Sequence, residues 1–303
     1  MRIASTQYQS MINLSLQKNQ ERISHLTEQI SSGNRILVPS DDPVDSVRLS
    51  RLKREEAALG QYRDNVAAVQ QRMSKNEAYL SNIVDDLSAG RDLLVWASDG
   101  GNTTQDLNAM VTSLSSLRDS VMYTANTLDQ EGRYVFSGTK TDTAPIVFDA
   151  TAPAGSRYSY AGNTNDQNVL VGNGITQVAN QNVSGVESLL NKLDATIALL
   201  AAPDVNISNP VVASAVKDGL DGIDGTLGLL SGKVATLGGQ QNILKTIDAN
   251  HANISLSNQS AILEIGQADI GAAAMDLNGY TTALQASYKA YSKIGNLSLF
   301  AAL

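Results

Sequence analysis

Cysteine is absent from the 303-residue chain, which excludes disulfides, zinc–thiolate centres and a cysteine nucleophile together. Histidine is almost absent. Only His25 and His251 occur, and neither stands at ligand spacing from a second histidine or a carboxylate. That leaves no sequence basis for a metal centre or a catalytic acid–base pair. Aromatic residues make up only 5% of the chain, so the core must be built from aliphatic side chains, as in helical bundles. No run of about 18 apolar residues occurs, and no membrane-spanning segment is expected. The opening MRIASTQYQS lacks the apolar stretch and cleavage site of a secretory signal peptide. Positive charge is also scarce. Lys and Arg number 22 against 30 Asp and Glu, a net charge of −8 that argues against a phosphate-binding, nucleic-acid surface. The one basic run, Arg51-Leu-Lys-Arg54, is followed at once by Glu55 and Glu56 and reads as a solvated helix face.

What the chain does have is apolar spacing that alternates three and four residues, the pattern of helices packed along a seam. It runs first through Ile12, Leu16, Asn19, Ile23, Leu26 and Ile30. A longer run follows through Leu59, Tyr62, Val66, Val69, Met73, Asn76, Leu80, Ile83 and Leu87, and a third from Leu107 to Leu128. The pattern resumes at Val216 and continues through Leu244, Ile247, His251 and Ile254. A last run includes Leu263, Ile270, Leu277, Tyr280, Leu284 and Tyr291. The stripes Ile23–Leu26–Ile30 and Leu277–Tyr280–Leu284–Tyr291 are expected to meet in a coiled coil, within one subunit or between neighbours. Such stripes cannot be buried by an isolated helix, so residues 1–30 and 265–303 are expected to order on assembly.

Between these helical stretches, Arg133–Ser137, Ile146–Phe148, Arg157–Tyr160 and Asn168–Val171 are short, rich in β-branched and aromatic residues, and separated by turn-forming clusters. They predict strands. The fold class is therefore mainly α: an elongated bundle or coiled coil formed by both chain ends, with a small inserted β domain. The expected divisions are a terminal helix at 1–40, a helical body at 41–134, the β insert at 135–182, a second part of the helical body at 183–262, and a second terminal helix at 263–303. Asp42 is expected to cap a helix that starts at Pro43. Gly219, Gly222, Gly225, Gly228, Gly232, Gly238 and Gly239 weaken the helix that contains them, and close approach of neighbouring helices is the expected reason for them.

Other candidate chemistry resolves into structure. Asp41-Asp42 reads as capping, and Asp85-Asp86 as an exposed pair whose side chains diverge. Ser137-Gly-Thr-Lys140 lacks the spacing of a phosphate loop and reads as a turn. Asp218, Asp221 and Asp224 recur every three residues, where a calcium loop needs every two. His25 falls off the seam and reads as solvated or at a subunit contact, His251 as a hydrogen-bonded interior residue, and Trp96 as a packing residue between helical segments. Tyr158 and Tyr160 form the one aromatic pair that an adhesive or ligand-binding module in the β insert would use.

Three stretches carry a resemblance: Met1-Arg-Ile-Ala-Ser-Thr-Gln7; Ser31-Ser-Gly-Asn-Arg-Ile36 with Pro39-Ser-Asp-Asp-Pro43; and Ala283-Leu-Gln-Ala-Ser-Tyr-Lys-Ala-Tyr-Ser-Lys-Ile294 with Leu297-Ser-Leu-Phe300. They resemble the terminal regions of the hook-associated protein 3 family of the flagellin superfamily, and Arg133-Tyr-Val-Phe-Ser-Gly138 followed by Thr143-Ala-Pro145 resembles that family at the helix-to-β transition. Flagellin shares the Ser-Ser-Gly-x-Arg-Ile element, but usually has a Lys-Asp-Asp-Ala-Ala-type stretch at the position of Pro39–Pro43 and a different C-terminal tail. A flagellin-like filament subunit is the alternative reading. The resemblance implies a non-enzymatic structural subunit at the junction of hook and filament, with no cofactor. It implies export through the flagellar type III apparatus and assembly into a homo-oligomeric ring. The implied partners are hook-associated protein 1, flagellin and an export chaperone that holds the C-terminal helix, with neither nucleic acid nor membrane. The assembly interface is expected at Ile12, Leu16, Ile23, Leu26, Ile30, Leu277, Tyr280, Leu284, Tyr291, Leu297 and Phe300.

Overall fold

The computed structural model describes residues 2–300, with side chains described from 7 to 293. The described residues form α1 (Arg2–Ser32), α2 (Pro43–Ala97), α3 (Thr104–Ala125), β1 (Ile146–Phe148), β2 (Tyr158–Tyr160), β3 (Asn168–Gly172), β4 (Ile175–Val178), α4 (Val186–Leu200), α5 (Pro210–Gly266) and α6 (Ile270–Phe300). They fall into two compact units, a terminal unit of Met1–Gly60 with Ala252–Leu303 and a central unit of Gln61–His251. The fold is mainly α, with two small antiparallel hairpins, β1–β2 and β3–β4.

The heptad spacing becomes the core of the central unit. On α2, Val66, Val69, Met73, Asn76, Leu80, Ile83 and Leu87 are at most 3% exposed. Leu107, Met110, Leu114, Leu117 and Val121 are likewise buried on α3, and Val216, Ile223, Leu230, Leu237 and Leu244 on α5. On α5 the intervening seam positions Leu220, Leu227, Val234 and Ile247 are only half-buried but pack on the same cluster. The spacing names no helix between Asn182 and Pro210. There α4 buries Leu189, Leu190, Leu193, Ile197 and Leu200 against the cluster, and packs on α3 and β2.

A hairpin of three-residue strands is too short to persist alone, and asparagine side chains complete it. On the outer edge of β1, Asn126 accepts from the Ile146 N–H (2.9 Å) and donates to the Ile146 carbonyl (2.9 Å). On the outer edge of β2, Asn191 of α4 does the same for Tyr158, at 2.9 and 2.8 Å. Two exposed strand edges are thereby closed without a further strand. Asp194, 2% exposed, accepts from Arg118 at 3.1 Å, Arg157 at 3.5 Å and the Gly155 N–H at 3.1 Å, tying the hairpin to α3 and α4. A buried carboxylate is tolerated only with such partners. His251 is an interior histidine, as its seam position implies. Its ring stacks on Tyr62 at 5.8 Å, and Nε2 lies 2.7 Å from the Val171 carbonyl of β3.

Four expectations need correction. Arg133–Ser137 is not a strand. It makes only isolated bridges, Tyr134 with Leu128 and Ser137 with Asn182, because it lacks a neighbour in register. Trp96 is 49% exposed and does not pack between helices, since the buried positions at that end of α2 are Leu94 and Ala97. The last seam is not one helix: α5 ends at Gly266 and α6 begins at Ile270, leaving Leu263 and Ile270 exposed. The glycine-rich stretch of α5 is unbroken, but close packing explains only part of it. A Cβ on Gly219 would lie 3.0 Å from Leu94 and 3.1 Å from Thr196, and one on Gly222 2.8 Å from Lys192. Gly225, Gly228, Gly232, Gly238 and Gly239 face open space, and nothing in the structure requires glycine there.

Candidate assembly interface

In the terminal unit, α1 and α6 pack along one another. They run antiparallel, because α1 ends where α6 begins. Gly33, at φ +71°, ends α1 in the left-handed conformation that favours glycine, with its N–H on the Gln29 carbonyl at 2.8 Å. The chain then pairs with the distant segment that links α5 to α6. The Arg35 N–H donates to the Gly266 carbonyl at 2.7 Å, and the Ala268 N–H to the Gly33 carbonyl at 2.9 Å. Asp269 caps α6, accepting from the Ala272 N–H at 2.9 Å.

Arg35 holds this junction together. Its Nε donates to the Ile265 carbonyl at 2.9 Å, Nη1 to Asp42 at 3.1 Å and Nη2 to Asp45 at 2.6 Å. Its own carbonyl accepts from Gln29 at 2.6 Å. One guanidinium thus joins the end of α5 to the start of α2, using the forked donor geometry that lysine lacks. Asp42 is the N-cap that its position before Pro43 implies, accepting from the Asp45 N–H at 3.1 Å. That bond, with help from Arg35, holds its carboxyl below the usual range. Asp41 accepts from the N–H groups of Val38 and Leu37, both at 3.0 Å, and lies 3.3 Å from His25 Nε2. The Val38 N–H is the main cause of its lowered pKa. His25 is therefore neither free nor remote from a carboxylate, a partnership across 16 residues that sequence spacing did not suggest. The motif Ser31–Ile36 with Pro39–Pro43 is thus a structural lock between the two halves of the chain.

Of the seam residues, Leu26 is buried, and Ile12, Leu16, Ile23, Ile30, Leu277, Tyr280 and Leu284 are half-buried. Tyr291 is 39% exposed. The side chains of Leu297 and Phe300 lie outside the described residues. The structure brings the two stripes onto a pair of helices within one chain, and leaves other apolar groups of the same helices uncovered. Met11 is 65% exposed, Leu14 54%, Met275 72% and Tyr288 55%. Sequence spacing missed these residues because they stand off the seam.

The aromatic platform expected of an adhesive β insert does not form. Tyr158 is 5% exposed, and the Tyr160 hydroxyl donates to the carbonyls of Phe136 and Asn163, at 3.1 and 2.9 Å. Burial raises its pKa to about 12. The turn Ser137–Lys140 offers no phosphate cradle either. The Thr139 N–H is taken by Asn163 at 2.9 Å, and the Ser137 hydroxyl by the Thr143 carbonyl at 2.5 Å. Among the described residues no group of three His, Cys, Asp or Glu could hold a metal, and no helix is long and apolar enough to cross a membrane.

Residues 3–141 match the bacterial flagellin N-terminal helical region. Flagellar hook-associated protein 3 of Escherichia coli (strain K12) is 30% identical over 289 residues, covering 90% of each chain. The protein of that name from Salmonella typhimurium is 29% identical over 99% of each. The solved structure of a flagellar hook-associated protein from Vibrio parahaemolyticus is 32% identical. It superposes with a TM-score of 0.67, over 75% of this chain and 100% of that one. With chain ends paired and locked in one unit and a helical core carrying two small hairpins in the other, the chain belongs to the flagellar hook-associated protein 3 family, structural subunits of the bacterial flagellum.

Proposed function

We propose that the chain joins hook to filament, as a subunit of a homo-oligomeric ring assembled through α1 and α6. Hook-associated protein 1 lies on the hook side and flagellin on the filament side. Export runs through the flagellar type III apparatus, with a chaperone holding the C-terminal helix before assembly. The subunit is not an enzyme and needs no cofactor. The observation that carries this reading is the half-finished burial of the α1–α6 pair. Most of its seam residues keep partial exposure, while Met11, Leu14, Met275 and Tyr288 present apolar surface that no described element covers. Neighbouring subunits would complete that burial, each fully buried large side chain contributing roughly 1.5–3 kcal/mol. Symmetry repeats any defect around the ring.

Leu284→Asp is the decisive variant. It removes apolar burial from the seam and places an unpaired carboxylate there. Cells carrying it should lose filament attachment and motility, while circular dichroism of the purified subunit shows the central unit folded. Normal filaments on the variant would overturn the reading. Global unfolding would assign Leu284 to the subunit's own core instead.

A further inference from the structure

The dipeptide Asn-Gly occurs at Asn173-Gly174 and again at Asn278-Gly279, and the fold treats the two copies differently. In this dipeptide an asparagine side chain loses its amide most easily. The backbone nitrogen of the next residue attacks the side-chain carbonyl carbon, and glycine puts no Cβ in its way. All four residues are exposed, so access to water does not distinguish the copies. Backbone geometry does.

Asn173-Gly174 is the two-residue turn that joins β3 to β4, across which Gly172 pairs with Ile175. Gly174 stands at φ +72°, and nothing lies within 4 Å of where its Cβ would be. No backbone carbonyl among the described residues takes its N–H. Ring closure requires rotation about the Asn173 Cα–C bond until the Gly174 nitrogen reaches Cγ, and here that rotation breaks no backbone hydrogen bond of this nitrogen. Asn278-Gly279 lies inside α6. There the helical ladder engages the glycine N–H, and the Asn278 carbonyl also accepts from the hydroxyls of Thr281 and Thr282, at 2.9 and 2.8 Å. The same rotation would break the helix.

We propose that Asn173 is a site of spontaneous deamidation in the folded subunit, selected over Asn278 by its turn. The reaction needs only water and hydroxide. The Gly174 nitrogen gives up its proton and bonds to Asn173 Cγ, the Cγ–Nδ2 bond breaks, and Nδ2 leaves as ammonia. Water then opens the five-membered imide at one of its two carbonyls. One opening gives aspartate, and the other gives isoaspartate, in which the main chain runs through the side-chain carbon. Either product adds one negative charge to the tip of the hairpin, in a chain already at −8. Isoaspartate also lengthens the turn of a hairpin whose Val171 carbonyl lies 2.7 Å from His251 Nε2.

Incubating the purified full-length subunit at mildly alkaline pH, followed by peptide mapping with mass spectrometry, tests this. Asn173 should convert roughly tenfold or more faster than Asn278, because the helical copy must wait for local opening. In guanidinium chloride the two should convert at similar rates, since unfolding removes the difference between them. Asn173→Gln leaves Gly174 in place at an exposed turn, so it should keep Tm and remove the main acidic species seen on anion exchange. Equal conversion of the two asparagines in the folded subunit, absence of conversion at Asn173, or an acidic species undiminished in Asn173→Gln would overturn the proposal.

Discussion

The two units use the same heptad spacing and reach different degrees of burial. In the central unit the seam positions of α2 and α3 disappear almost completely from solvent, because α4, α5 and the hairpins close around them. In the terminal unit the seam of α1 and α6 has one partner helix, and most of its residues stay half-buried. Two helices side by side cover one stripe each, whereas a closed core needs elements on several sides. Identical local sequence logic thus gives a closed core in one place and a half-buried seam in the other.

Truncation should expose that contrast most strongly. Leu114→Ala empties a position that is 0% exposed and should cost about 2–5 kcal/mol in urea unfolding of the purified subunit. Leu277→Ala, at a half-buried seam position, should cost about 1 kcal/mol or less in the same assay. Equal costs would show that the terminal pair is as closed as the central core.

The lock offers the next largest effect. Arg35→Met keeps the aliphatic stem but removes the donors to Ile265, Asp42 and Asp45. Amide exchange in α1 and α6 should speed up by roughly tenfold, equivalent to ~1.4 kcal/mol, while α3 keeps its protection. Acceleration in α3 as well would show that the lock supports the whole chain and not its ends.

A smaller effect, of opposite sign, is expected within α5. Gly228 lies in a helix interior with nothing within 4 Å of a Cβ, so Gly228→Ala should stabilise by about 0.5–1 kcal/mol, seen as a raised Tm. Gly222→Ala meets Lys192 and Leu189 and should gain less or lose stability. A gain at both positions would mean that neither glycine is needed for packing.

Much of the fold was legible because burial follows periodicity. Val66, Met73, Leu80 and Leu87 announce a seam whatever packs on it, and Asp42-Pro43 announces a helix start through backbone chemistry alone. What could not be read is what depends on partners far along the chain. Asn126 and Asn191 complete β1 and β2, and Arg118 and Arg157 converge on Asp194, across separations that no local pattern encodes. The break at Gln267–Asp269 was hidden because Leu263, Ile270 and Leu277 keep the seven-residue rhythm straight through it. The lock was visible as a motif, but its mechanics were not, since Arg35 acts through Ile265, 230 residues away.

The smallest expected difference is in acid, and it follows from the carboxylates of the lock. Asp41 is held below its usual value chiefly by the Val38 N–H, and Asp42 by the Asp45 N–H, while partial burial opposes both. A carboxyl whose folded pKa is lowered contributes stability that is fully present above its unfolded value, near 3.8, and lost as pH falls through the folded value. The lock should therefore be intact at neutral pH and loosen only below about pH 4. The central unit has its own lowered carboxyls, Asp106 bonded by Thr103 and Asp149 by Thr151, so both units weaken in the same window. They differ in what remains. The central unit keeps an aliphatic core that does not titrate, and the terminal pair keeps only its half-buried seam. Amide protection followed by NMR from pH 6 to pH 2.5 should thus fall in α1 and α6 before α3. Asp41→Asn with Asp42→Asn should flatten the acid dependence of the terminal helices without changing that of α3. Protection lost first in α3, or an unchanged acid profile in the double variant, would mean that these carboxylates do not hold the chain ends together.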